Sequence, residues 1–184
     1  MKQRGSWKIK SSKEIYDNAW INVTEHSVIN PGNADGIYGE IHFKNIAIGI
    51  IPLDEEYNTW IVGQHRFPID LYSWEIIEGG GKIGVDPIES AKRELAEEAG
   101  IVAENYELIL RMHLSNSVSD EYGLIYIAKG LSFQESSPEI DEELVIKKVP
   151  FNQLYQAVMN GDMTDSLTVA GVLKTKILID QGVI

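Results

Sequence analysis

The stretch GGGKIGVDPIESAKRELAEEAGI, residues 79–101, carries the pattern that decides the fold and most of the chemistry. Glycines come directly before a helix whose two ends are both marked by the sequence. Asp86 suits the N-cap, Pro87 suits the first helical position, and Glu89 is placed to complete a capping box. Gly100 suits the left-handed residue that ends a helix. The segment therefore predicts a well-bounded helix that follows a glycine-rich turn.

Three glutamates occupy the last two turns of this helix. With Glu94 at zero on a helical wheel, Glu98 falls at about 40° and Glu97 at about −60°, so the three carboxylates share one side. That side lies away from the apolar stripe that should face the core, which is formed by Ile88, Ala91, Leu95 and Ala99. Like charges at this spacing repel by about 0.2–0.5 kcal/mol, and a helix C-terminus favours cations. Arg93 can offset Glu97, but the cluster indicates a further positive group that the sequence does not supply.

Two interpretations of the glutamates are open. The first is a solvated, charged helix face, which is the common case for surface helices. The second is a divalent cation, because Mg²⁺ prefers oxygen ligands and often shares its coordination shell with substrate phosphates. The glycines upstream would let the backbone approach such a ligand closely. The sequence favours metal-assisted phosphate chemistry over the solvated face.

Composition narrows the classes of function. The chain has 184 residues, 43% of them hydrophobic and 24% charged, as expected for one globular domain. A net charge of −12 argues against binding to nucleic acid or to an anionic membrane. The absence of cysteine excludes disulfides, thiolate metal ligands and a cysteine nucleophile. The first residues, MKQRGSWKIKSSKE, contain no apolar stretch of signal-peptide length, and no later stretch approaches the length of a membrane span, so we expect a cytoplasmic protein.

Periodicity and turn residues predict a chain of strands with a few helices. The predicted helices beyond the glutamate helix cover residues 151–160 and 166–179. The run 46–53 is continuously apolar, which is typical of a strand buried on both faces. The predicted strands cover residues 20–28, 37–43, 46–53, 59–67, 106–113, 123–129 and 144–149. This order indicates an α/β fold with a mixed sheet covered on both faces.

Residues 79–101 resemble the Nudix box, which fixes a glycine, an acid, an Arg-Glu pair, a Glu-Glu pair and a closing glycine at set spacing. The matching positions are Gly79, Arg93, Glu94, Leu95, Glu97, Glu98, Gly100 and Ile101. The first acid of the box is Val85 here, so either Asp86 or a residue elsewhere replaces it, or the metal site is weaker than usual. The resemblance implies an α/β/α sandwich with a mixed sheet, with residues 45–184 as the Nudix hydrolase domain.

The resemblance also implies the metal ligands. Glu94 and Glu98 would hold Mg²⁺, with Mn²⁺ as an alternative ion. Glu97 and the backbone carbonyl of Glu78 would assist them, and Glu97 is also a candidate catalytic residue. Arg93 would hold Glu97 in place and so has a structural part.

A second segment resembles the pyrophosphatases of ADP-ribose and other nucleoside diphosphate sugars. It reads QHRFP at residues 64–68, followed by Trp74 shortly before the glycines. The resemblance implies that Arg66, His65 and Trp74 bind substrate, and arginine suits both phosphate pairing and stacking on a base. His65 is equally explained as an ordinary surface or core histidine.

Residues 1–44 resemble the N-terminal β-rich extension through which these enzymes dimerise, so a homodimer is expected. Trp20 within it is explained equally by packing and by base stacking. Downstream, Asn116 and Ser117 stand where ADP-ribose pyrophosphatases carry Pro-Gly. That departure favours a different or broader nucleoside diphosphate sugar. Glu121 matches the acid of the same motif. It is either a substrate-binding residue that adds an acid near the metals or a solvated hairpin charge.

The last candidate residues lie in the acidic loop before the strand at 144–149. In similar enzymes a glutamate in this loop orients or deprotonates the attacking water, which makes Glu139 and Glu142 the catalytic candidates. For either one alone, a solvated loop charge is the competing explanation.

The implied reaction is hydrolysis of the pyrophosphate bond of a nucleoside diphosphate sugar, such as GDP-mannose or ADP-ribose, to a nucleoside monophosphate and a sugar phosphate. One alternative is a Nudix hydrolase of nucleoside triphosphates or dinucleoside polyphosphates. Another is a nucleotide-sugar sensor that keeps the fold without catalysis. Products identify the first alternative, and tight binding without products identifies the second.

Overall fold

The computed structural model describes residues 1–136 and 144–184 of the chain. The strands are β1 (Lys2–Arg4), β2 (Trp7–Asp17), β3 (Ile21–Ile29), β4 (Asp35–Phe43), β5 (Asn45–Pro52), β6 (Asn58–Arg66), β7 (Leu71–Glu75), β8 (Ile77–Lys82), β9 (Ile101–His113), β10 (Tyr122–Phe133) and β11 (Val145–Pro150). The helices are α1 (Pro87–Ala99), α2 (Phe151–Asn160) and α3 (Ser166–Asp180). Among the described residues, none of these helices combines the length and the apolar character needed to cross a membrane.

The strands form three sheets. Strands β1 to β4 make an antiparallel sheet in chain order. The central sheet has the order β8-β5-β10-β9, and its β5–β10 pair is parallel while the other pairs are antiparallel. The third sheet, β11-β6-β7, is antiparallel. The predicted mixed sheet is thus the central one.

Helices cover the central sheet on both faces because β5 is apolar on both. Ile48 and Ile50 belong to one buried cluster with Leu95 of α1. Ile51 belongs to the other cluster, together with Leu167 of α3. This alternation is what a continuously apolar strand produces when both of its faces are buried. The predicted α/β/α layering is confirmed.

Helix α1 begins and ends where the sequence predicts. The Asp86 side chain accepts a hydrogen bond from the backbone N–H of Ile88 at 3.2 Å, and Gly100 has a φ of 62°. The predicted second half of the capping box is wrong. The Glu89 carboxylate instead accepts from Lys92 at 2.7 Å, one turn further along the exposed face.

The N-terminal sheet is fastened to the rest of the molecule by a segment that runs just before β10. The backbone N–H of Ile41 donates to the carbonyl of Val118 at 2.9 Å, and that of Asp120 donates to the carbonyl of Ile41 at 3.2 Å. The Asp120 carboxylate also accepts from the Phe43 backbone at 2.8 Å and contacts the His42 ring. We call this set of bonds the β4 clasp.

Candidate active site

Two of the three box glutamates are buried beneath the surface of α1. Glu94 is 8% exposed and Glu98 is 2% exposed, whereas Glu97 is half-buried. The interpretation of a solvated face is therefore wrong for Glu94 and Glu98. Burying carboxylates is costly unless positive charge or hydrogen bonds compensate them.

Gly79 on β8 provides the surface on which the Glu94 carboxylate lies. A Cβ atom added to Gly79 would stand 2.0 Å from Cδ of Glu94, closer than two non-bonded carbons can approach. Only glycine fits at this position while the Glu94 side chain keeps its place. The sequence predicted that the glycines allow a close approach of a bound ligand, and the group that the structure places against Gly79 is the Glu94 carboxylate.

Arg93 supplies positive charge to this cluster. Its guanidinium donates to Glu97 Oε2 at 2.6 Å and to Glu94 Oε1 at 2.5 Å, so the expected offset of Glu97 is confirmed. A third bond, of 3.1 Å, reaches the carbonyl of Gly80. One arginine thus connects α1 with the glycine strand beside it.

The donor chemistry of these residues fits a hard divalent cation. Carboxylate oxygens from Glu94, Glu97 and Glu98 and backbone carbonyls of the glycine strand are the ligand types that Mg²⁺ prefers. The glycine cradle at Gly79 lets a buried carboxylate and a bare backbone lie side by side. Within residues 1–136 and 144–184, no three side chains of His, Cys, Asp or Glu already converge as metal ligands do. Binding would therefore involve the carboxylates that Arg93 now holds.

An open cleft lies beside the glycine strand. Two adjoining hollows of about 510 Å³ and 390 Å³ share Arg66, Glu78 and Glu121 in their walls, so they form one continuous space. Gly79 lines one end of this cleft, and a Cβ at the same residue would meet the Glu94 carboxylate. Among the described residues the walls of the cleft do not include Glu94, Glu97 or Glu98, so Gly79 is the link between the cleft and the glutamates of α1. The cleft is wide enough for an extended ligand such as a nucleotide.

Arg66 enters the cleft from the end of β6 and is held by Glu75. The Arg66 Nε atom lies 3.0 Å from both carboxylate oxygens of Glu75, which is 2% exposed. These hydrogen bonds raise the pKa of Arg66 above its already high ordinary value, so the guanidinium stays charged. A fork fixed in this way offers positive charge at a set point of the cleft wall.

Acidic groups line the same cleft as Arg66. Burial, followed by the charge of Asp165 and a hydrogen bond to it, raises the pKa of Glu78 well above its usual range. Burial, followed by the charge of Asp165, also raises the pKa of Glu121. Asp165 is a residue that sequence reasoning missed. Its place as the N-cap of a helix is readable from the sequence, but its closeness to Glu78 depends on how α3 docks.

The structure does not bring His65 and Trp74 into this cleft. Neither residue is among the described residues that line it. The cause is the alternation of side chains along a strand. His65 is next to Arg66 and Trp74 is next to Glu75, and because Arg66 and Glu75 face the cleft, their neighbours point the other way. His65 is exposed and lies 3.3 Å from Asp70. Trp74 packs edge-on against Tyr72 at 5.7 Å between ring centroids. Glu139 and Glu142 lie outside the described residues.

The N-terminal sheet contributes aromatic side chains to the cleft. Trp20 and Phe43 line the end that also contains Gly79. Trp20 is 66% exposed, so it does not serve as a core residue of this chain. The Asn18 side chain accepts from the backbone N–H groups of Trp20 and Ile21, each at 2.8 Å, which fixes the turn that presents the indole ring.

Comparison with protein families agrees with this geometry. Residues 43–165, well over half of the chain, match the model of the NUDIX domain. Residues 7–39 match the model described as the nucleoside diphosphate sugar hydrolase N-terminal domain.

Individual relatives were also found. A methanol dehydrogenase activator of Bacillus methanolicus is 31% identical over 68% of this chain and 69% of its own. An ADP-ribose pyrophosphatase of Mycobacterium tuberculosis is 29% identical over 69% of this chain and 63% of its own. A crystal structure of an ADP compounds hydrolase superposes with a TM-score of 0.85 over 100% of both chains, at 17% identity, and supports the fold.

Proposed function

The chain belongs to the Nudix family of pyrophosphohydrolases, and we propose that it hydrolyses the pyrophosphate bond of a nucleoside diphosphate sugar with the help of divalent cations. The products would be a nucleoside monophosphate and a sugar phosphate. The cation would be Mg²⁺, with Mn²⁺ as an alternative. The glutamate cluster of α1 and the cleft beside it form the active site in this proposal.

The observation that carries the proposal is the burial of Glu94 and Glu98 next to Gly79. Two buried carboxylates one turn apart are not there for stability, because their mutual repulsion and their desolvation both destabilise the fold. A divalent cation shared with a diphosphate would offset both costs. The glycine strand supplies backbone carbonyls at the same place, including that of Glu78.

In the proposed mechanism the protein binds, orients and compensates charge. A bound divalent cation would neutralise phosphate charge and lower the pKa of a coordinated water. Glu94 and Glu98 would hold it, with Glu97 and the Glu78 carbonyl assisting. Arg66, fixed by its buried partner, would pair with a phosphate or stack on the base.

We propose Glu97, Glu139 and Glu142 as the candidates that orient or deprotonate the attacking water. A glutamate with this part would, when changed to glutamine, lower kcat with little change in KM. Comparing the three single variants would assign the role to one of them.

The substrate class is supported by several observations. The family model that matches residues 7–39 is described as the N-terminal domain of nucleoside diphosphate sugar hydrolase, and one relative is an ADP-ribose pyrophosphatase. Trp20 at the mouth of the cleft offers an aromatic face to a nucleobase, and Glu121 faces the same space. Asn116 and Ser117, which stand where ADP-ribose pyrophosphatases carry Pro-Gly, favour a nucleoside diphosphate sugar different from ADP-ribose or a broader range that includes it. Product analysis against nucleotide sugars, nucleoside triphosphates and dinucleoside polyphosphates would identify the substrate class.

Changing Glu98 to glutamine tests the metal role. Glu98→Gln should abolish Mg²⁺-dependent release of nucleoside monophosphate, because the amide keeps the side chain's shape and loses its charge. Glu89→Gln is the matched control, since Glu89 is exposed on the first turn of the same helix and pairs with Lys92. Near-normal turnover of Glu98→Gln would reject the assigned role.

We also propose that residues 1–44 form a dimerisation extension of a Nudix domain at 45–184. Exposed apolar side chains on the N-terminal sheet support this, because a monomeric protein rarely exposes several large apolar side chains on one sheet. They include Ile15, Tyr16, Ile37 and Tyr38. Light scattering of the purified protein would measure the mass, and a monomer at all concentrations would contradict the proposal.

A further inference from the structure

Thr168 sits in the first turn of α3 and makes hydrogen bonds in three directions. It is 0% exposed. Its hydroxyl oxygen accepts from the backbone N–H of Ile76 at 3.0 Å and donates to Glu78 Oε1 at 3.2 Å. Its own backbone N–H donates to Asp165 Oδ2 at 2.8 Å. One buried hydroxyl therefore connects α3 to the strand that lines the cleft.

Ile76 needs this bond because the chain changes sheets there. Strand β7 pairs with β6, whereas β8 pairs with β5. In the part of the chain that the structure describes, Ile76 stands between these two ladders and is paired in neither. It is 0% exposed, so water cannot replace a missing partner for its N–H. The Thr168 hydroxyl satisfies that donor at the crossing point.

The segment on either side of Ile76 carries much of the proposed site. Glu75 holds the Arg66 guanidinium, and Gly79 supports the Glu94 carboxylate. In the proposed site, the backbone carbonyl of Glu78 would be a further metal ligand. A shift of this segment by a few tenths of an ångström would move all of these groups together. Partners behind the direct ligands often set metal affinity in this way.

We propose that Thr168 is a positioning residue for the metal site, acting through the hydrogen bonds that fix residues 76–79. The inference rests on the proposed function. Thr168 lies beyond residues 43–165, the part of the chain that matches the NUDIX domain model. The helix that follows the matched region thereby contributes to the geometry of the glutamate site.

The same helix offers a matched control. Thr175 is also 0% exposed, and its hydroxyl has no hydrogen-bond partner among the described residues. Thr175→Val removes a buried hydroxyl of the same kind, two turns away, without breaking a bond. Thr168→Ser keeps the hydroxyl that the inference requires, while Thr168→Val and Thr168→Ala both remove it.

Two measurements on the substrate-free, full-length protein test the inference. Amide hydrogen exchange reports how firmly residues 76–79 are held, and titration calorimetry with Mg²⁺ alone reports the affinity of the site. In Thr168→Val we expect faster exchange of residues 76–79 and about tenfold weaker Mg²⁺ binding. Thr168→Ala should behave alike, which covers the case in which the valine variant does not fold. Thr168→Ser and Thr175→Val should match the wild type in both measurements.

The outcomes separate the inference from the proposed function. Unchanged exchange in Thr168→Val, or faster exchange with unchanged Mg²⁺ affinity, would overturn the positioning role while leaving the proposed function intact. Equal weakening in Thr175→Val would also overturn it, because the effect would then belong to helix packing. Absence of Mg²⁺ binding by the wild type would reject the proposed metal site and the role of Thr168 with it.

Discussion

Adjacent glycines on β8 meet different surroundings. A Cβ on Gly79 would stand 2.0 Å from Cδ of Glu94, whereas a Cβ on Gly80 would meet its nearest neighbour, Asn45 Nδ2, at an ordinary 3.5 Å. Gly79→Ala should therefore displace the Glu94 carboxylate. We expect the free energy of unfolding to fall by about 1–3 kcal/mol and Mg²⁺ binding to weaken about tenfold or more. Urea unfolding and calorimetry measure the two effects.

Gly80→Ala is the control for this change, because it adds the same methyl group one residue along the same strand. It should leave Mg²⁺ affinity near the wild-type value. If Gly79→Ala binds Mg²⁺ as well as Gly80→Ala does, the Glu94 carboxylate does not depend on the glycine surface.

Burial of single glutamates was only partly predictable at this scale. On the helical wheel, Glu98 at about 40° lies roughly 20° from Ala91, which is a core position. The position of Glu98 on the wheel, close to Ala91, therefore predicts its burial. This signal is lost when the three glutamates are assigned together to one exposed face. The burial of Glu94 had no such local signal. It depends on how closely β8 approaches the helix, which a sequence does not record.

At the scale of elements, the turn between β5 and β6 depends on one carboxylate. Asp54 accepts hydrogen bonds from the backbone N–H groups of Glu56 and Asn58, at 3.0 Å and 2.7 Å, and pairs with Lys148 at 2.8 Å. Burial alone would raise the pKa of Asp54, but these bonds outweigh it and lower the pKa from 3.8 to about 2. The turn is thus held together by an ionised group.

This shift predicts a specific acid sensitivity. Because the folded pKa of Asp54 lies below the unfolded value of 3.8, its contribution is present above that pH and is lost as the pH falls through about 2. Because solvent screens this turn, the contribution amounts to about 1 kcal/mol. Asp54→Asn should therefore be less stable than the wild type at neutral pH and should lose less stability on acidification. Urea unfolding between neutral and acid pH measures both, and Glu55→Gln in the same turn is the control. Parallel acid curves for Asp54→Asn and the wild type would contradict the assignment.

Sequence reading predicted strong elements well and polar edge strands poorly. The buried strand β5 and the helix α1 were readable because an apolar run and a pair of caps are local signals. The β-rich character of residues 1–44 was expected, but β1 and β2 were not predicted as individual strands. Strand β2 is mostly exposed and rich in lysine and serine, which hides its alternation. Strand β9 begins at Ile101, five residues before the predicted start at residue 106. Its pairing with β10 extends the strand beyond the apolar stretch.

At the scale of the whole molecule, the cleft is assembled from segments far apart in sequence. Arg66 comes from the end of β6, Glu121 from the residue before β10, and Asp165 from the loop before α3. The glutamates of the proposed metal site could be grouped from the sequence because they share one helix. The opposite wall was not, because Asp165 and Thr168 reach Glu78 only through the docking of α3.

The β4 clasp joins the N-terminal sheet to Asp120, which is next to Glu121 of the cleft wall. The sheet that would contact the second subunit in the proposed dimer is therefore bonded directly to the wall of the cleft. Dissociation of the proposed dimer would make β4 less ordered. Because β4 is bonded to Asp120, the loss of order would reach the cleft wall at the neighbouring Glu121. We therefore expect specific activity to fall on dilution, in step with the loss of dimer measured by light scattering at the same concentrations. Constant specific activity across that dissociation would mean that each subunit works alone, and that the clasp serves only to hold the sheet in place.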